Sequence, residues 1–190
     1  MSSCDTLLHT FTSITEPLRV EELFEEQRPI ELEIGCGDGG FLLGYAQANP
    51  ERNFIGVERL LGRIRKLDKK GRRDNLQNLC LLRIEARYLI KHLLPEHQME
   101  VMHVYFPDPW WKKRHHKRRI MQTSFLQDVI RSLAPQGRLH FWTDVRDYFE
   151  TSLELIAGFS ELHGPYDVTE EIPEHDLDFQ SHFERRTRLG

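Results

Sequence analysis

Residues 30 to 41 read Ile30-Glu31-Leu32-Glu33-Ile34-Gly35-Cys36-Gly37-Asp38-Gly39-Gly40-Phe41, and this stretch decides the fold. We predict a short strand over Ile30 to Ile34 and a turn over Gly35 to Gly40. Glycines at alternate positions permit a tight turn and let a ligand approach the backbone closely. A helix over Phe41 to Ala48 is expected to follow and to end before Asn49-Pro50. The stretch therefore predicts a strand, a glycine turn and a helix in succession.

Strands and helices alternate along most of the remaining chain. Further strands are predicted over Phe54 to Val57, Leu79 to Ile84, Val101 to Phe106 and Arg138 to Thr143. Further helices are predicted over Arg59 to Arg72, Tyr88 to Leu94, Met121 to Leu133 and Asp147 to Phe159. This alternation is typical of an α/β fold with a doubly wound parallel sheet.

The two ends of the chain depart from this alternation. Pro17 to Gln27 is predicted to form a short N-terminal helix, and an antiparallel strand at the sheet edge is expected near Phe179 to Arg186. No internal repeat or low-complexity linker divides the chain. We therefore expect a single domain over residues 1 to 190, with a short helical segment over about residues 1 to 28.

The composition indicates a folded, soluble protein. Hydrophobic residues make up 39% of the chain and charged residues 29%, a balance that argues against disorder. No apolar run approaches the ~20 residues needed to cross a bilayer, and Met1 to Val20 lacks the features of a signal peptide. Cys4, Cys36 and Cys80 lie at unrelated spacings without a metal-ligand pattern. They indicate reduced thiols in a cytoplasmic protein that binds no metal.

The charges are distributed unevenly along the chain. The formal net charge is −4, yet Lys112 to Arg119 contains six Lys or Arg residues. A second basic segment, Arg59 to Arg73, holds eight basic residues against Asp68 alone. Because phosphate groups respond to the local electrostatic potential, the negative net charge of the whole chain does not exclude an RNA partner.

Acidic residues stand at or just after the ends of the predicted strands. Four of them, Glu33, Glu58, Asp108 and Asp144, terminate four different strands, and Glu85 separately follows the third predicted strand. Open parallel sheets bind ligands at the carboxyl ends of their strands, so we expect these carboxylates to line one pocket. Glu58 follows the glycine turn by about twenty residues, an offset at which an acid accepts hydrogen bonds from ribose hydroxyls.

The glycine turn differs from that of dinucleotide-binding proteins. Gly35, Gly37 and Gly39 are evenly spaced, unlike G-x-G-x-x-G. Even spacing preceded by an acid resembles the motif of class I methyltransferases, which bind S-adenosylmethionine. Glu33 and Asp38 make the turn unfavourable for a phosphate and acceptable to a cationic, phosphate-free cofactor.

The fourth strand leads into Pro107-Asp108-Pro109-Trp110-Trp111 and then into the basic run Lys112 to Arg119. The prolines end the strand and stiffen the chain beyond it, which is expected to hold Asp108 as a buried carboxylate at the strand's end. The basic run supplies the field that a polyphosphate partner needs. The two tryptophans either stack on a base or pack in the core. The feature favours an enzyme that acts on nucleic acid.

Together these motifs resemble the bacterial tRNA (guanine-N7-)-methyltransferases over nearly the whole chain. The resemblance is carried by Glu33 to Leu42, Phe54 to Glu58, Phe106 to Trp110 with Lys112 to Arg119, Thr143-Asp144, and Phe183-Glu184. It implies the class I, Rossmann-like fold: a doubly wound, mostly parallel seven-stranded sheet with an antiparallel edge strand. It also implies S-adenosylmethionine as cofactor, tRNA as partner, and a monomer or homodimer. The implied reaction methylates N7 of the variable-loop guanosine conventionally numbered 46.

The resemblance also implies roles for individual residues. The cofactor pocket would be lined by Glu33, Gly35, Gly37, Gly39, Glu58, Glu85 and Asp108. The target guanosine would meet Lys112, Asp144 and the Ser181 to Glu184 segment, of which Ser181 and Glu184 carry the polar groups. The RNA surface would comprise Lys113, Arg114, Lys117 and Arg118. Asp108 would be the catalytic residue.

The chain departs from the family pattern at Glu85, where Asp is usual, and at Ser181, where Thr is usual. Its N-terminus also lacks a basic extension found in many members, which bears on tRNA affinity more than on the chemistry. Two alternatives stay open at this point. One is a methyltransferase acting on an exocyclic amine of a base, and the other is a non-catalytic RNA-binding module with a methyltransferase fold.

Overall fold

The computed structural model describes residues 6 to 166, which form an α/β structure. The strands are β1 Ile30–Ile34, β2 Asn53–Val57, β3 Leu79–Leu82, β4 Met99–Tyr105 and β5 Leu133–Trp142. The helices are α1 Leu42–Ala48, α2 Leu61–Arg73, α3 Ala86–Tyr88, α4 Thr123–Ser132 and α5 Arg146–Ile156. A π-helical turn, Leu89–Leu93, continues α3, and 3-10 turns occur at Val20–Glu22 and Lys113–Arg118.

The five strands form one sheet in the order β3-β2-β1-β4-β5, and every neighbouring pair is parallel. The chain builds β1, β2 and β3 in one direction and then crosses back to place β4 on the other side of β1. The strand order therefore reverses between β1 and β4. In such sheets the ligand crevice opens at this reversal, beyond the carboxyl ends of the strands. The predicted doubly wound parallel sheet is confirmed.

Helices cover both faces of the sheet because each face is apolar. On one face, Ile64 and Leu67 of α2 pack with Leu42 of α1 and Phe54 of β2. The core on the other face is larger and includes residues of the α3 region, α4 and α5, among them Ile90, Phe125, Val129 and Tyr148. The two layers fix the sheet, and with it the edge at which the strands end.

The predicted N-terminal helix over Pro17 to Gln27 is wrong. Within that range the structure has one 3-10 turn, Val20–Glu22. Acids at positions 21, 22, 25 and 26 form like-charge pairs four residues apart, which destabilise an α-helix. The segment docks without being helical, since Val20 is buried and the Leu18 N–H donates to the Leu93 carbonyl at 2.7 Å.

The remaining predicted boundaries agree with the structure within a few residues, except at β5. That strand begins at Leu133, five residues before the predicted start at Arg138, and its pairing with β4 shifts register between these two residues. The expected antiparallel strand near Phe179 to Arg186 lies outside the described residues. Between residues 6 and 166 the longest helix, α2, has 13 residues, so none can span a membrane.

A buried ionic cluster lies inside the sheet, away from the carboxyl edge. Glu31 is 2% exposed, and its carboxylate lies 2.7 Å from His103 Nε2 and 2.8 Å from Arg52 Nη1. The other ring nitrogen of His103 lies 2.8 Å from the Tyr105 hydroxyl. A buried carboxylate is tolerated when it is paired and hydrogen-bonded, and both conditions are met here. The cluster joins β1 to β4 across the reversal point.

We expect Glu31→Ala to lower the free energy of unfolding by about 3–5 kcal/mol, because it leaves the buried His103 ring without a hydrogen-bond partner and Arg52 without its buried counter-charge. Glu26→Ala is the matched control, since Glu26 pairs with Arg28 but its side chain is 74% exposed. That change is expected to cost about 0–1 kcal/mol. Urea unfolding of both variants measures the difference. Equal effects would show that the cluster does not stabilise the sheet.

Candidate active site

The glycine turn after β1 lies at the reversal point and has the backbone that its sequence requires. Gly35, Gly37 and Gly39 have φ values of 75°, 58° and 82°, in the left-handed region. The Gly35 N–H donates to the Val57 carbonyl at 2.8 Å, which joins the turn to β2. A Cβ at Gly39 would overlap the Leu67 side chain, so glycine at this position lets α2 pack closely. The turn therefore presents open backbone at the sheet edge.

Glu33, at the end of β1, is a buried carboxylate that lacks a partner. It is 5% exposed, and its Oε2 atom has no hydrogen-bond partner among the described residues. Burial raises the pKa of Glu33 to about 8. An orphaned buried acceptor is rare in a folded protein and occurs where a ligand, an ion or an ordered water can bind. The natural complement of this atom is a cationic or hydrogen-bond-donating ligand.

Further acids surround the buried Cys36 thiol in the same turn. Burial raises the pKa of that thiol well above its ordinary value, and the negative charges of Glu33, Glu58 and Asp38 raise it further. Glu33, Glu58 and Asp38 are therefore close enough to act on one atom. The structure brings together the acids of β1 and β2 as predicted, in a region of negative potential.

Glu58 follows β2 directly and is held in place. It is 7% exposed, its Oε1 accepts the Leu60 N–H at 2.7 Å, and its Oε2 lies 3.9 Å from Arg63 Nη1. The carboxylate thus caps the start of α2, where the helix dipole favours a negative charge.

Glu85, after β3, is exposed and accepts the Tyr88 N–H at 2.8 Å. Its carboxylate is thus the N-cap of α3, a structural role that Glu85 keeps whatever else it binds.

The Pro107-Asp108-Pro109 loop leaves the sheet through a bend that has two unusual backbone conformations. Phe106 and Trp110, the residues on either side, have φ values of 47° and 48°. Bulky residues in the left-handed region are uncommon and occur most often at functional sites. The Phe106 N–H donates to the Trp142 carbonyl at 2.8 Å, which fixes the start of the loop beside β5.

Asp108 itself is exposed, so the expectation of a buried carboxylate is wrong. The left-handed Phe106 turns the chain out of the sheet before Asp108, and neither neighbouring proline can donate a hydrogen bond. Asp144, two residues beyond β5, is also exposed. The two carboxylates follow adjacent strands whose ends pair as Tyr105 with Trp142, and both remain accessible to a ligand.

The basic lip, Lys112 to Arg118, extends from this loop and faces solvent through its lysines and arginines. Its exposed basic residues are Lys112, Lys113, Arg114, Lys117 and Arg118. The Arg118 guanidinium stacks over the Trp110 ring at 4.9 Å, and Trp110 is half-buried. Trp111 is 73% exposed. Of the two tryptophans, Trp111 is therefore the one free to meet a base.

Arg119, the last residue of the basic run, points inward and does not belong to the exposed basic surface. It is 6% exposed, donates to the Pro109 carbonyl at 2.8 Å and pairs with Asp147 at 2.9 Å. Its guanidinium also lies 4.6 Å from the Tyr148 ring centre. Arg119 therefore ties the Asp108 loop to α5. Nothing in its local sequence distinguishes it from Arg118, so sequence reasoning missed this role.

The described residues thus place Glu33, Glu58, Glu85, Asp108 and Asp144 at one sheet edge. Ser181 and Glu184 lie outside the described residues. Between residues 6 and 166 there is no cluster of three or more His, Cys, Asp or Glu that could hold a metal ion. The arrangement offers carboxylates, open backbone and a cationic rim.

We expect Glu33→Gln to remove a pH dependence of stability. The pKa of Glu33 is about 8 in the folded protein, against an ordinary value of 4.5. The folded state therefore holds this proton more tightly, and its contribution to stability is complete below pH 4.5 and lost as the pH rises to about 8. In urea unfolding at pH 5, 6.5 and 8, the free energy of unfolding of the variant should increase relative to that of the wild type as the pH rises. A difference that stays constant with pH would contradict the assignment.

We expect Arg119→Met to lower the free energy of unfolding by about 1.5–3 kcal/mol, because it removes charged hydrogen bonds to Pro109 and Asp147. Arg118→Met makes the same chemical change at the neighbouring exposed position, and should stay within about 0.5 kcal/mol of the wild type. Denaturant unfolding measures both variants. If the two variants were equally stable, Arg119 would not anchor the loop.

Comparison with known proteins agrees with this geometry. A family model described as "Putative methyltransferase" matches residues 27–189. A solved structure titled "Structure of an antibiotic related Methyltransferase" superposes with a TM-score of 0.61 at 18% identity, covering 96% of this chain and 90% of that chain. At that identity the likeness establishes the fold alone: an α/β methyltransferase fold with a parallel sheet.

Curated relatives match most of the sequence. The tRNA (guanine-N(7)-)-methyltransferase of Rhodopirellula baltica is 37% identical over 190 residues, covering 97% of this chain and 70% of the relative. The protein of the same name from Rubrobacter xylanophilus is 36% identical over 170 residues, covering 88% of this chain and 76% of the relative. The chain therefore belongs to the bacterial tRNA (guanine-N7-)-methyltransferase family.

Proposed function

We propose that this protein transfers a methyl group from S-adenosylmethionine to N7 of the variable-loop guanosine in tRNA. The observation that carries the proposal is Glu33, a buried carboxylate with an unpartnered oxygen beside the glycine turn. Such an atom needs a donor or cation from a ligand, and the acids around it disfavour a phosphate. S-adenosylmethionine, the methyl donor of the proposed reaction, is a cationic ligand without a phosphate.

The residues of the turn fit this cofactor. Glu33 meets its positively charged portion, and the open backbone at Gly35, Gly37 and Gly39 admits it closely. Glu58 accepts hydrogen bonds from the ribose hydroxyls. Its carboxylate has further lone pairs besides the one that accepts the Leu60 N–H. Glu85 and Asp108 complete the edge of the pocket. When bound, S-adenosylmethionine supplies an electrophilic methyl group carried on a sulfonium.

Guanine N7 has a lone pair and no proton, so no side chain has to act as a base on it. The protein's task is alignment, together with stabilisation of a positive charge that passes to the purine. Asp108 and Asp144, which are exposed and follow adjacent strands, accept hydrogen bonds from N1–H and N2–H of the guanine. This anchors the Watson–Crick edge and turns N7 toward the methyl group. Asp108 is accordingly the catalytic residue.

The basic lip holds the RNA while the base is in the pocket. Lys112 reaches the target nucleotide, and the phosphate contacts are made by Lys113, Arg114, Lys117 and Arg118. An unpaired or extruded base is required, since N7 of a stacked base cannot enter a pocket at a sheet edge. Ser181 and Glu184 add contacts to the guanosine. We also propose that the complete sheet has the family's seven strands, with an antiparallel edge strand.

The proposal is tested by incubating the protein with bulk tRNA and methyl-labelled S-adenosylmethionine, then digesting the RNA to nucleosides. The expected product is N7-methylguanosine. A label on N6 of adenosine or N4 of cytidine would instead identify a methyltransferase of exocyclic amines. Cofactor binding without any labelled nucleoside would indicate a non-catalytic RNA-binding module. Either of these two results would overturn the proposal.

We expect cofactor binding to release close to one proton at pH 7. Because the pKa of Glu33 is about 8 before binding, its carboxyl is mostly protonated at neutral pH, and a bound cation favours the ionised form. Affinity should therefore rise with pH up to about 8 and then level off. Calorimetric titration in buffers of different ionisation enthalpy measures the release. Glu33→Gln is the control, and an unchanged proton release in that variant would exclude Glu33 as its source.

We expect Asp108→Asn to lower kcat by about 10²–10³-fold while the melting temperature stays within a few degrees, because the exposed side chain contributes to the transition state and not to the core. Asp128→Asn on α4 is the matched control and should retain full activity. Methyl transfer to tRNA at saturating substrates measures both variants. Near-normal turnover of the Asp108 variant would refute its role.

A further inference from the structure

The outer face of α2 carries a continuous stripe of basic side chains that the proposed active site does not use. At helical spacing, Arg65, Lys66, Lys69, Arg72 and Arg73 fall on one side of the helix, and all five are exposed. The opposite side of α2 is buried through Ile64, Leu67, Asp68 and Gly71. We call these five residues the α2 stripe.

We propose that the α2 stripe is a second RNA-binding surface, separate from the basic lip, which contacts the phosphate backbone of the same RNA substrate. The inference rests on the proposed function for the identity of that RNA. It adds a surface on a different element of the fold. It also assigns that surface a different task, because the lip presents the target nucleotide and the stripe binds RNA away from it.

The charges of the stripe are only partly neutralised within the protein. Arg72 pairs with Asp68 at 3.2 Å, and Arg73 pairs with Asp74 at 2.8 Å. For Arg65, Lys66 and Lys69, residues 6 to 166 provide no carboxylate at ion-pair distance. The centre of the stripe is therefore a patch of three cations without counter-charges in the part of the chain described.

This arrangement is unfavourable for the isolated helix. Arg65 and Lys69, Lys66 and Lys70, and Lys69 and Arg73 are like-charge pairs four residues apart, and such pairs destabilise a helix. A helix that served only as a solvated face would gain by alternating acids with bases, as α5 does through its Arg146–Glu150 pair at 2.7 Å. The repulsion in α2 is offset when a polyanion binds across it.

The position of α2 links the stripe to the active site. Glu58 caps the start of the helix, and Lys70 Nζ donates to the Asp38 carbonyl of the glycine turn at 3.2 Å. The lip follows β4, on the other side of β1 from β2, which leads into α2. The two basic surfaces therefore flank the pocket, and an RNA with one nucleotide in the pocket can extend over both.

The stripe is suited to phosphates and not to bases. From Arg65 to Arg73 it spans roughly 12 Å, a length that several consecutive phosphates of one strand cover. It contains no aromatic side chain, whereas the lip region includes Trp110 and Trp111. Contacts of this kind position a nucleic acid without reading its sequence. The stripe should thus contribute affinity for folded RNA in general.

The experiment compares tRNA binding by the wild type with that of the triple variant Arg65→Gln, Lys66→Gln, Lys69→Gln over a range of salt concentrations. Each lost phosphate contact lowers the slope of log K against log salt by about 0.7–0.9, so we expect a fall of about 2 and a roughly tenfold higher Kd at low salt. The matched control removes three exposed charges elsewhere, through Arg19→Gln, Lys91→Gln and Arg138→Gln. Its slope should equal that of the wild type.

Two further measurements make the result specific to the stripe. The triple variant should keep the wild-type cofactor Kd and the wild-type kcat at saturating tRNA, with a raised KM. Combined with changes at Lys113, Arg114, Lys117 and Arg118, its loss of binding free energy should add to theirs, because the surfaces are separate.

An unchanged salt slope in the triple variant would overturn the inference, as would a loss equal to that of the control. Stripe-dependent binding to anionic lipid vesicles, with tRNA affinity intact, would assign the surface to a membrane and also overturn it. Single charge reversal by Lys69→Glu, which barely perturbs an exposed helix position, should raise the Kd for tRNA more than Lys69→Gln does. The nucleoside product reports separately on the proposed function, because binding is measured without methyl transfer.

Discussion

The parallel pairing of β1 with β2 on one side and β4 on the other is the constraint on which the rest of the structure depends. Because all strands run in the same direction, every carboxyl end lies at one edge, and the residues after each strand have to meet there. The reversal of strand order at β1 leaves a crevice at that edge. Glycine-rich backbone after β1 keeps it open, and the pairing of Glu31 with His103 holds β1 and β4 together beneath it.

Charge is segregated around this edge in a way that matches a cationic cofactor and a polyanionic substrate. The carboxyl groups of Glu33, Glu58 and Asp38 lie near the Cys36 thiol, and the inner pocket is most negative once Glu33 loses its proton, at a pH near 8. The lysines and arginines of the lip are exposed, so the rim is positive. Under the proposed function, a folded RNA would be attracted to the rim and repelled by the acidic interior, which would remain for the cofactor. Only the target base, whose polar edge donates hydrogen bonds, would then enter the acidic region.

Arg119 links the Asp108 loop to helix α5. It belongs by sequence to the basic run and by structure to the core beside Tyr148, and it holds the Pro109 carbonyl. The Asp108 loop therefore begins at a hydrogen bond to β5 and ends at an ion anchored on α5. The left-handed residues Phe106 and Trp110 bound the loop, and anchors at both ends restrict the backbone that carries Asp108.

The sequence by itself determined the order of strands and helices, the glycine turn, the family, and the strand ends at which the acids stand. These features are local: they depend on hydrophobic periodicity, on backbone conformations that only certain residues adopt, and on spacing along the chain. The sequence wrongly predicted a helix over Pro17 to Gln27. There, repulsion between neighbouring acids and the hydrogen bond to the Leu93 carbonyl outweighed the helical spacing of apolar residues.

Only the tertiary structure decided which charges are buried and what they contact. It left Glu33 without a partner, turned Asp108 outward, made Glu85 a helix cap, and placed Arg119 inside while Arg118 stays outside. Arg118 and Arg119 have the same local signal, yet Arg119 is enclosed by α5 and the Pro109 carbonyl while Arg118 stacks on Trp110 at the surface. Burial and pairing arise from elements distant in sequence, so no local pattern specifies them.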